Sequence, residues 1–332
     1  MIATIILFIL GFVLLVYGAS FLVDASASIA KKYGVSNLVI GLTIVALGTS
    51  TPELVVNLIA SIQGAADVAM GNILGSNITN IFLILGASAI IYPLSVSINH
   101  PFKKIPFALE IPFALFGAIV IGVLANDYLF TGVSEPVIGR VNGIILAIIF
   151  LGFMFYTFKF GNTGTDDGIE VKSHTLKTSI LMIVAGIGGL VLGGKWIVDG
   201  ATKLASMLGM GEAIISLTIV ALGTSLPELA TCVVAAYKKN SGLVIGNIVG
   251  SNIFNVFFVL GISATVQPID FNTELNFDIL VGVFSTLLLF LFLFIPQRNV
   301  LNRWQGWILL LLYVGYVLTL ILKETKVIAF GF

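Results

Sequence analysis

Two short stretches of this 332-residue chain combine a carboxylate with hydroxyl groups inside long apolar segments. They read GTSTPEL, at 48–54, and GTSLPEL, at 223–229. Each supplies a threonine, a serine and a glutamate: Thr49, Ser50 and Glu53 in the first, and Thr224, Ser225 and Glu228 in the second. Carboxylate, hydroxyl and carbonyl oxygens are the ligands that hard cations such as Ca²⁺ prefer, whereas transition metals favour His or Cys. The residue types therefore indicate a site for a hard cation.

A proline and a glycine in each stretch predict a break in the helix that carries it. Pro52 has no N–H, so the carbonyl of Gly48 loses its helical partner. Irregular backbone at membrane depth survives only where it is buried in protein or lines a cavity. We therefore expect free backbone carbonyls here, those of Ala46 and Ala221 among them, to add neutral oxygen ligands.

A second motif follows each of the first two and adds further neutral oxygens. It reads GNILGSNITN at 71–80 and GNIVGSNIFN at 246–255. Its glycines, four residues apart, allow close approach of another helix. A spacing of four also places the serine and the last asparagine of each motif on one helix face. These pairs are Ser76 with Asn80 and Ser251 with Asn255.

The two glutamates are the strongest indication of a bound cation. A carboxylate at the bilayer centre costs about 2.5–3.5 kcal/mol on insertion scales, and no basic residue lies in either motif to compensate Glu53 or Glu228. Two carboxylates neutralise one Ca²⁺, while hydroxyls and carbonyls at low charge also suit Na⁺. One site would then hold either calcium or sodium, which is the minimum requirement for an exchanger.

The composition places these motifs in a membrane. Hydrophobic residues make up 58% of the chain and charged residues 10%, against about 25% charged in a soluble domain. Ten segments are apolar and long enough to cross ~30 Å of hydrocarbon: 2–23, 36–60, 67–90, 106–125, 138–158, 178–198, 211–236, 243–265, 277–295 and 304–322. We therefore predict an all-α polytopic protein of ten transmembrane helices, surrounded by lipid. Its net charge of zero indicates no nucleic-acid partner.

The chain is an internal duplication with a constant offset of 175 residues. Residues 41–55 and 216–230 agree at 12 of 15 positions, and 71–90 and 246–265 agree at 13 of 20. We predict one five-helix repeat in 1–160, a polar linker in 161–177 and a second repeat in 178–332. Because five is odd, the second repeat must be inverted in the membrane, an arrangement typical of transporters with a site near the midplane.

The loop charges predict the orientation. Loops on one side are basic: Lys31, Lys32, Lys103, Lys104, Lys159, Lys172, Lys177, Lys238, Lys239, Arg298 and Arg303. Loops on the other side are mainly acidic: Asp67, Asp127, Glu135, Asp270 and Glu274. The positive-inside rule places the basic loops and the linker in the cytoplasm. We expect a multi-pass protein of the plasma membrane with both termini outside.

The doubled GTS-PEL and GNxxGSNIxN motifs resemble those of sodium/calcium exchangers in the cation/calcium exchanger superfamily, particularly its compact prokaryotic members. The resemblance covers nearly the whole chain. It implies a transporter rather than an enzyme, with Na⁺ and Ca²⁺ as cargo, no cofactor, and helices 2, 3, 7 and 8 around the ions. We expect a monomer to suffice. The implied ligands are carboxylates of Glu53 and Glu228, hydroxyls or carbonyls of Thr49, Ser50, Thr224 and Ser225, carbonyls of Ala46 and Ala221, hydroxyls of Ser76 and Ser251, and the amides of Asn80 and Asn255.

One position departs from part of the superfamily and leaves alternatives open. Several members, including potassium-dependent exchangers, have aspartate at the position of Asn255, so this site holds two carboxylates rather than three. That difference argues against potassium co-transport. Proton/calcium antiport is the second hypothesis, although that branch has a different motif. A cation channel would not need an inverted duplication, and an intramembrane enzyme would need a nucleophile–base pair that the sequence does not offer.

Overall fold

The computed structural model describes residues 2–95, 109–127, 136–160, 173–207, 221–295 and 300–324. The helices in these ranges are α1 Ile2–Tyr33, α2 Asn37–Thr49, α3 Thr51–Ile62, α4 Ala66–Ile91, α5 Glu110–Ala125, α6 Arg140–Phe160, α7 Leu176–Met207, α8 Ala221–Gly223, α9 Leu226–Tyr237, α10 Ser241–Val266, α11 Asn276–Phe292 and α12 Arg303–Glu324. Four two-residue strands join them: β1 Leu94–Ser95, β2 Val137–Ile138, β3 Ile269–Asp270 and β4 Val300–Leu301. The expectation of an all-helical chain is therefore incomplete by these four strands.

The long apolar helices bear out a multi-pass membrane protein. In the described part of the chain, seven helices are long and apolar enough to cross a bilayer, and an eighth is counted when α2 and α3 are taken as one bent span. The shorter apolar helices α5 and α9 lie in two more of the predicted segments. Both segments begin partly outside the described residues, at 106–108 and 211–220.

Two helices extend well beyond their predicted ends. α1 continues for ten residues past 23, to Tyr33, and α7 continues for nine past 198, to Met207. The charged residues there lower the hydropathy, but the backbone hydrogen bonds of the helix continue through them. α7 also includes the last two residues of the predicted linker. Residues 161–172 of the linker, including Lys172, lie outside the described residues, as do Lys103, Lys104, Glu135 and Arg298.

The centre of the protein is formed by α4 and α10, which carry the GNxxGSN motifs. Of their apolar windows, 72% and 94% respectively are buried, compared with 28% for α1, α6, α7 and α12. The outer helices instead expose large apolar side chains, such as Ile9, Phe155 and Leu311. An apolar exterior around a partly polar interior is the arrangement expected for a protein surrounded by lipid.

α1 and α7 cross at glycines that the repeat relates to one another. A β-carbon placed on Gly18 would lie 2.8 Å from the carbonyl oxygen of Gly186, and one placed on Gly11 would lie 2.9 Å from that of Gly193. The offset of 175 maps Gly11 onto Gly186 and Gly18 onto Gly193. The glycines thus let the two backbones touch, as small residues do in membrane helix pairs.

The short strands connect the two halves of the chain. β1 pairs with β4 and β2 with β3, both antiparallel, with Leu94 opposite Leu301 and Ile138 opposite Ile269. β1 follows α4 and β3 follows α10, and the repeat offset relates these two strands. Each half therefore contributes one strand to each pair.

Candidate ion-binding site

The predicted helix breaks are present and bring the two GTS-PEL motifs into the core. α2 and α3 meet at an angle of 48°, with Ser50 at the junction at φ −87° and ψ 11°. Ser225 has nearly the same conformation, φ −86° and ψ 3°, before α9. Each proline lies in the first turn of the helix that follows, where a missing N–H breaks no bond within that helix.

These breaks place both glutamates in the first turn of a helix. Glu53 is the third residue of α3 and Glu228 the third residue of α9, and each is only 1% exposed. The N-terminal end of a helix carries partial positive charge, which favours an anionic side chain. The hydroxyl of Ser50 donates to Oε1 of Glu228 at 2.8 Å. The carboxylates thus lie against hydroxyl groups of the opposite motif.

The threonines and serines close this arrangement across the two halves. The side chain of Thr224 contacts the carboxylate of Glu53, and that of Thr49 contacts the carboxylate of Glu228. The hydroxyls of Ser50 and Ser251 lie 2.9 Å apart, and the Ser225 hydroxyl donates to that of Ser76 at 3.5 Å. The structure therefore brings the predicted oxygen groups of all four motifs together.

The central asparagines are oriented by two asparagines that the sequence analysis did not single out. Asn80 donates its amide N–H to Oδ1 of Asn252 at 2.9 Å, and Asn255 donates to Oδ1 of Asn77 at 3.1 Å. The offset of 175 relates the two bonds. These bonds use the amide nitrogens of Asn80 and Asn255 and leave their side-chain oxygens out of both contacts.

Four buried oxygen atoms at this site have no hydrogen-bond partner among the described residues. They are Oε2 of Glu53, Oε2 of Glu228, Oδ1 of Asn80 and Oδ1 of Asn255. Buried acceptors without partners carry a large desolvation penalty, and buried charges are normally paired or bound to metal ions. The two ion pairs found in the described chain lie elsewhere. Two carboxylate and two amide oxygens fit a hard cation as substrate.

One backbone expectation is wrong. The carbonyl of Ala46, predicted to be free, accepts a hydrogen bond from the N–H of Ser50 at 3.0 Å. The hydroxyl of Thr49 lies 3.4 Å from the same oxygen. The reason is that helical bonding continues to Thr49, so the N–H of Ser50 still reaches the carbonyl of Ala46. Ala221 begins the short helix α8, and the residues before it lie outside the described chain.

Sequence reasoning missed four polar residues beside the site: Asn72, Asn77, Asn247 and Asn252. Asn72 and Asn247 accept hydrogen bonds from Thr224 and Thr49, at 3.4 and 3.1 Å. A signal for all four was present, because both asparagines of GNxxGSN are identical in the two repeats. The spacing of the serine and the last asparagine drew attention to one helix face only.

The comparisons with known proteins assign the chain to a family. The family model described as sodium/calcium exchanger protein matches residues 3–159 and 178–322. This chain belongs to that family. The resemblance drawn from the doubled motifs is thereby confirmed. Exchangers transport ions as their substrates, so family membership also confirms the predictions of a transporter that is not an enzyme and needs no cofactor.

Relatives of the exchanger match along almost their full length. The uncharacterized membrane protein MJ0091 of Methanocaldococcus jannaschii is 34% identical over 307 residues, which are 92% of this chain and 94% of that protein. The sodium/calcium exchanger MaX1 of Methanosarcina acetivorans is 32% identical over 355 residues, covering 95% and 97%.

A solved structure supports the fold of the exchanger. The sodium-calcium exchanger NCX_Mj, soaked with 2.5 mM Na⁺ and 10 mM Sr²⁺, superposes with a TM-score of 0.78 at 34% identity. The match covers 95% of this chain and 98% of that one. Together with the family, this likeness supports Na⁺/Ca²⁺ exchange as the activity of the protein.

Proposed function

We propose that the protein is a secondary antiporter that exchanges Na⁺ for Ca²⁺ by alternating access, with Glu53 and Glu228 as the central ligands. The observation that carries the proposal is the pair of buried carboxylates, each with one oxygen that has no hydrogen-bond partner in the described part of the chain. Two negative charges match one Ca²⁺, and the surrounding hydroxyl and amide oxygens suit Na⁺ after calcium has left. The names of the relatives MaX1 and NCX_Mj support the same ion pair.

The remaining ligands of the proposed site are neutral oxygens. Among the described residues no group of three or more His, Cys, Asp or Glu side chains could hold a metal ion, so the neutral groups must complete the coordination of calcium. The proposed set is Thr49, Ser50, Thr224 and Ser225, the carbonyls of Ala46 and Ala221, Ser76 and Ser251, and Asn80 and Asn255. The carbonyl of Ala46 accepts one hydrogen bond from Ser50 and would bind the ion with its second lone pair.

We infer a stoichiometry of roughly three Na⁺ for one Ca²⁺, because three sodium ions on two carboxylates carry one excess charge across the membrane. Three Na⁺ moving down a tenfold gradient release about 4.2 kcal/mol. One net charge crossing 100 mV adds about 2.3 kcal/mol. Electrogenic exchange of this kind sustains a calcium gradient of order 10⁴, whereas two-for-one exchange reaches about 10².

The proposed architecture has ten spans in two inverted five-helix repeats, a cytoplasmic linker at 161–177 and both termini outside the plasma membrane. The apolar helices α5 and α9, together with the undescribed residues before them, would complete the count. α1 and α7, which touch through glycine at matched positions, would slide together against the site. A single chain contains both halves of the site, so a monomer would suffice.

The decisive experiment is ⁴⁵Ca²⁺ uptake into sodium-loaded proteoliposomes. We expect uptake to require an outward Na⁺ gradient and to accelerate when the vesicle interior is made positive, because net positive charge moves outward. Uptake driven equally well by a pH gradient and indifferent to sodium would instead identify a proton/calcium antiporter. Flux that does not depend on any ion on the opposite side would identify a channel.

A further inference from the structure

A chain of hydrogen bonds runs behind the site from a backbone carbonyl to Thr224. The amide N–H of Asn57 donates to the carbonyl of Ala69 at 3.1 Å. Asn57 Oδ1 accepts from the amide of Asn72 at 2.6 Å. Asn72 Oδ1 in turn accepts from the hydroxyl of Thr224 at 3.4 Å. A second contact, from the Asn72 amide to the carbonyl of Glu53 at 3.4 Å, holds the same orientation.

The other half contains the same chain with a thiol in place of one amide. The thiol of Cys232 donates to the carbonyl of Val244 at 3.9 Å, and its sulfur accepts from the amide of Asn247 at 3.3 Å. Asn247 Oδ1 accepts from the hydroxyl of Thr49 at 3.1 Å. The offset of 175 relates the two runs of hydrogen bonds at every position. Ala69 corresponds to Val244, Asn57 to Cys232, Asn72 to Asn247 and Thr49 to Thr224.

Each of the two runs of hydrogen bonds has only one consistent direction of donation. A backbone carbonyl can only accept, so the group that meets it must donate. This fixes the amide of Asn57 with its oxygen toward Asn72, which in turn fixes the amide of Asn72 with its oxygen toward Thr224. The asparagine oxygen at the end of each run of bonds can only accept, so in that bond the threonine hydroxyl is the donor; for Thr49 the Asn247 oxygen, at 3.1 Å, is nearer than the competing carbonyl oxygen of Ala46, at 3.4 Å.

The direction of that proton decides what the threonine offers to an ion. Thr224 contacts the carboxylate of Glu53, and Thr49 contacts that of Glu228. A hydroxyl that donates to the carboxylate occupies a lone pair of the carboxylate and presents a proton to the cation. A hydroxyl that donates to Asn72 or Asn247 leaves the carboxylate free and presents its oxygen.

We propose that Asn72 and Asn247 are positioning residues, which turn the hydroxyl protons of Thr224 and Thr49 away from the carboxylates so that oxygen faces the ion. Asn57 and Cys232 set the amide orientation of these two asparagines. The inference rests on the proposed exchange function. It also makes the two halves unequal, because a thiol is a weaker donor and acceptor than an amide, while the ligand residues themselves are the same in both halves.

The test is a double-mutant cycle between Asn72 and Thr224, read as the apparent KM for Ca²⁺ and the maximal rate of sodium-driven uptake. If Asn72 acts through Thr224, Asn72→Ala raises the KM about tenfold, the range typical of residues that orient metal ligands. Asn72→Ala then adds little to Thr224→Val. Independent, multiplicative effects of the two substitutions on the KM would overturn the proposal.

Cys232 offers a milder second test that does not depend on Asn72 variants folding. Cys232→Ser keeps a donor and an acceptor and should leave the KM near that of the wild type, whereas Cys232→Ala should raise it. Equal KM values for the serine and alanine variants would overturn the role of Cys232.

A half-buried pair of asparagines away from the site supplies the control. Asn126 and Asn276 exchange amide hydrogen bonds of 2.8 and 3.1 Å between α5 and α11. Asn126→Ala should lower the melting temperature without changing the KM. If the wild type shows no sodium-dependent uptake, both the proposed function and the positioning role of Asn72 and Asn247 are wrong. If the wild type exchanges the ions but the effects in the double-mutant cycle are additive, only the positioning role is wrong.

Discussion

Nζ of Lys238 lies 2.8 Å from Oδ1 of Asp24 and donates a further 2.8 Å hydrogen bond to the hydroxyl of Ser20. The contact ties α1 to the turn between α9 and α10. The repeat places Asp199 and Gln63 at the matching positions of the opposite half, and among the described residues Asp199 has no ion pair. Within the described residues, the salt bridge of Asp24 therefore has no counterpart at the matching position of the other half.

Charge reversal at this contact should slow exchange. The pair is about one-third exposed, and an exposed ion pair stabilises a protein by only about 0–1 kcal/mol. Asp24→Lys, however, brings two cations together between α1 and the site helices, which should impede the proposed movement of α1. We expect a several-fold lower initial rate of sodium-driven ⁴⁵Ca²⁺ uptake and recovery in the double variant Asp24→Lys with Lys238→Asp.

Asp199→Asn is the matched control, because it alters the corresponding residue of the other half without breaking a described ion pair. Its rate should equal that of the wild type. Equal rates for the wild type and the Asp24→Lys variant would show that the contact plays no part in transport.

Removing either central carboxylate should nearly abolish calcium transport. Glu53→Gln or Glu228→Gln leaves one negative charge to face a divalent ion, and the affinity of hard cations follows the charge of the ligands. The variants should still insert and fold, since a neutral side chain is less costly in the membrane. ⁴⁵Ca²⁺ uptake and gel-filtration profiles in detergent measure the two outcomes.

Thr51→Leu is the control for the glutamate variants. Thr51 is exposed, its hydroxyl donates to the carbonyl of Leu47 at the end of α2 at 2.9 Å, and the second repeat has Leu226 at this position. Uptake by this variant should be unchanged. Normal calcium exchange by both Glu→Gln proteins would mean that the central site is elsewhere.

The central asparagines should influence sodium more than calcium. Asn80→Ala or Asn255→Ala removes one neutral oxygen and leaves both carboxylates, so calcium uptake should fall only several-fold. The concentration of Na⁺ needed for half-maximal exchange should rise by a larger factor than the apparent KM for calcium. A loss of calcium uptake as complete as that of the Glu→Gln variants would contradict this division of roles.

The glycines between α1 and α7 should tolerate no side chain. A methyl group at Gly18 would lie 2.8 Å from the backbone oxygen of Gly186, and backbone cannot give way as a flexible side chain does. Gly18→Ala should therefore lower the melting temperature and the exchange rate. Gly188→Ala, with no described atom within 4 Å, should be neutral or stabilise α7 by up to about 1 kcal/mol. Equal behaviour of the two variants would argue against close packing here.

The orientation can be read from single cysteines in a Cys232→Ser background. Positions 172 and 238 should react with an impermeant thiol reagent only from the cytoplasm, and positions 127 and 274 only from outside. The reason is the basic bias of the first pair of loops. Labelling of 127 and 172 from the same side would overturn the inverted arrangement.

The sequence predicted the helices well wherever hydropathy and helix length coincide. α4, α6, α10 and α12 begin and end within two residues of their predicted bounds. The prediction failed at α1 and α7, where charged residues continue a helix beyond its apolar part. The π-helical turns at Gly41–Val45, Asn80–Leu85 and Phe254–Val259 were not foreseen, because such turns are rare and hydropathy does not distinguish them from a regular α-helix.

At the site, residue type identified the oxygens but not their partners. Glu53 and Glu228 stand out because a buried charge is costly without a counter-ion. The amide orientations of Asn77 and Asn252 depend on which helices face each other across the centre, and a spacing rule along one helix contains no such information. The relation of Asn57 to Cys232 was hidden further, since a thiol and an amide do not look alike in a repeat alignment.

The strand pairs between the halves bear on how the protein is made. When the first half leaves the ribosome, the partners of β1 and β2 have not yet been made. The first residue of β3, Ile269, follows the end of β2 at Ile138 by more than 130 residues and the end of β1 at Ser95 by more than 170, and β4 comes later still. Neither half contains both strands of a pair, so the first half inserted alone would have β1 and β2 unpaired. Separately expressed halves should therefore be degraded singly and accumulate only when they are produced together in one membrane.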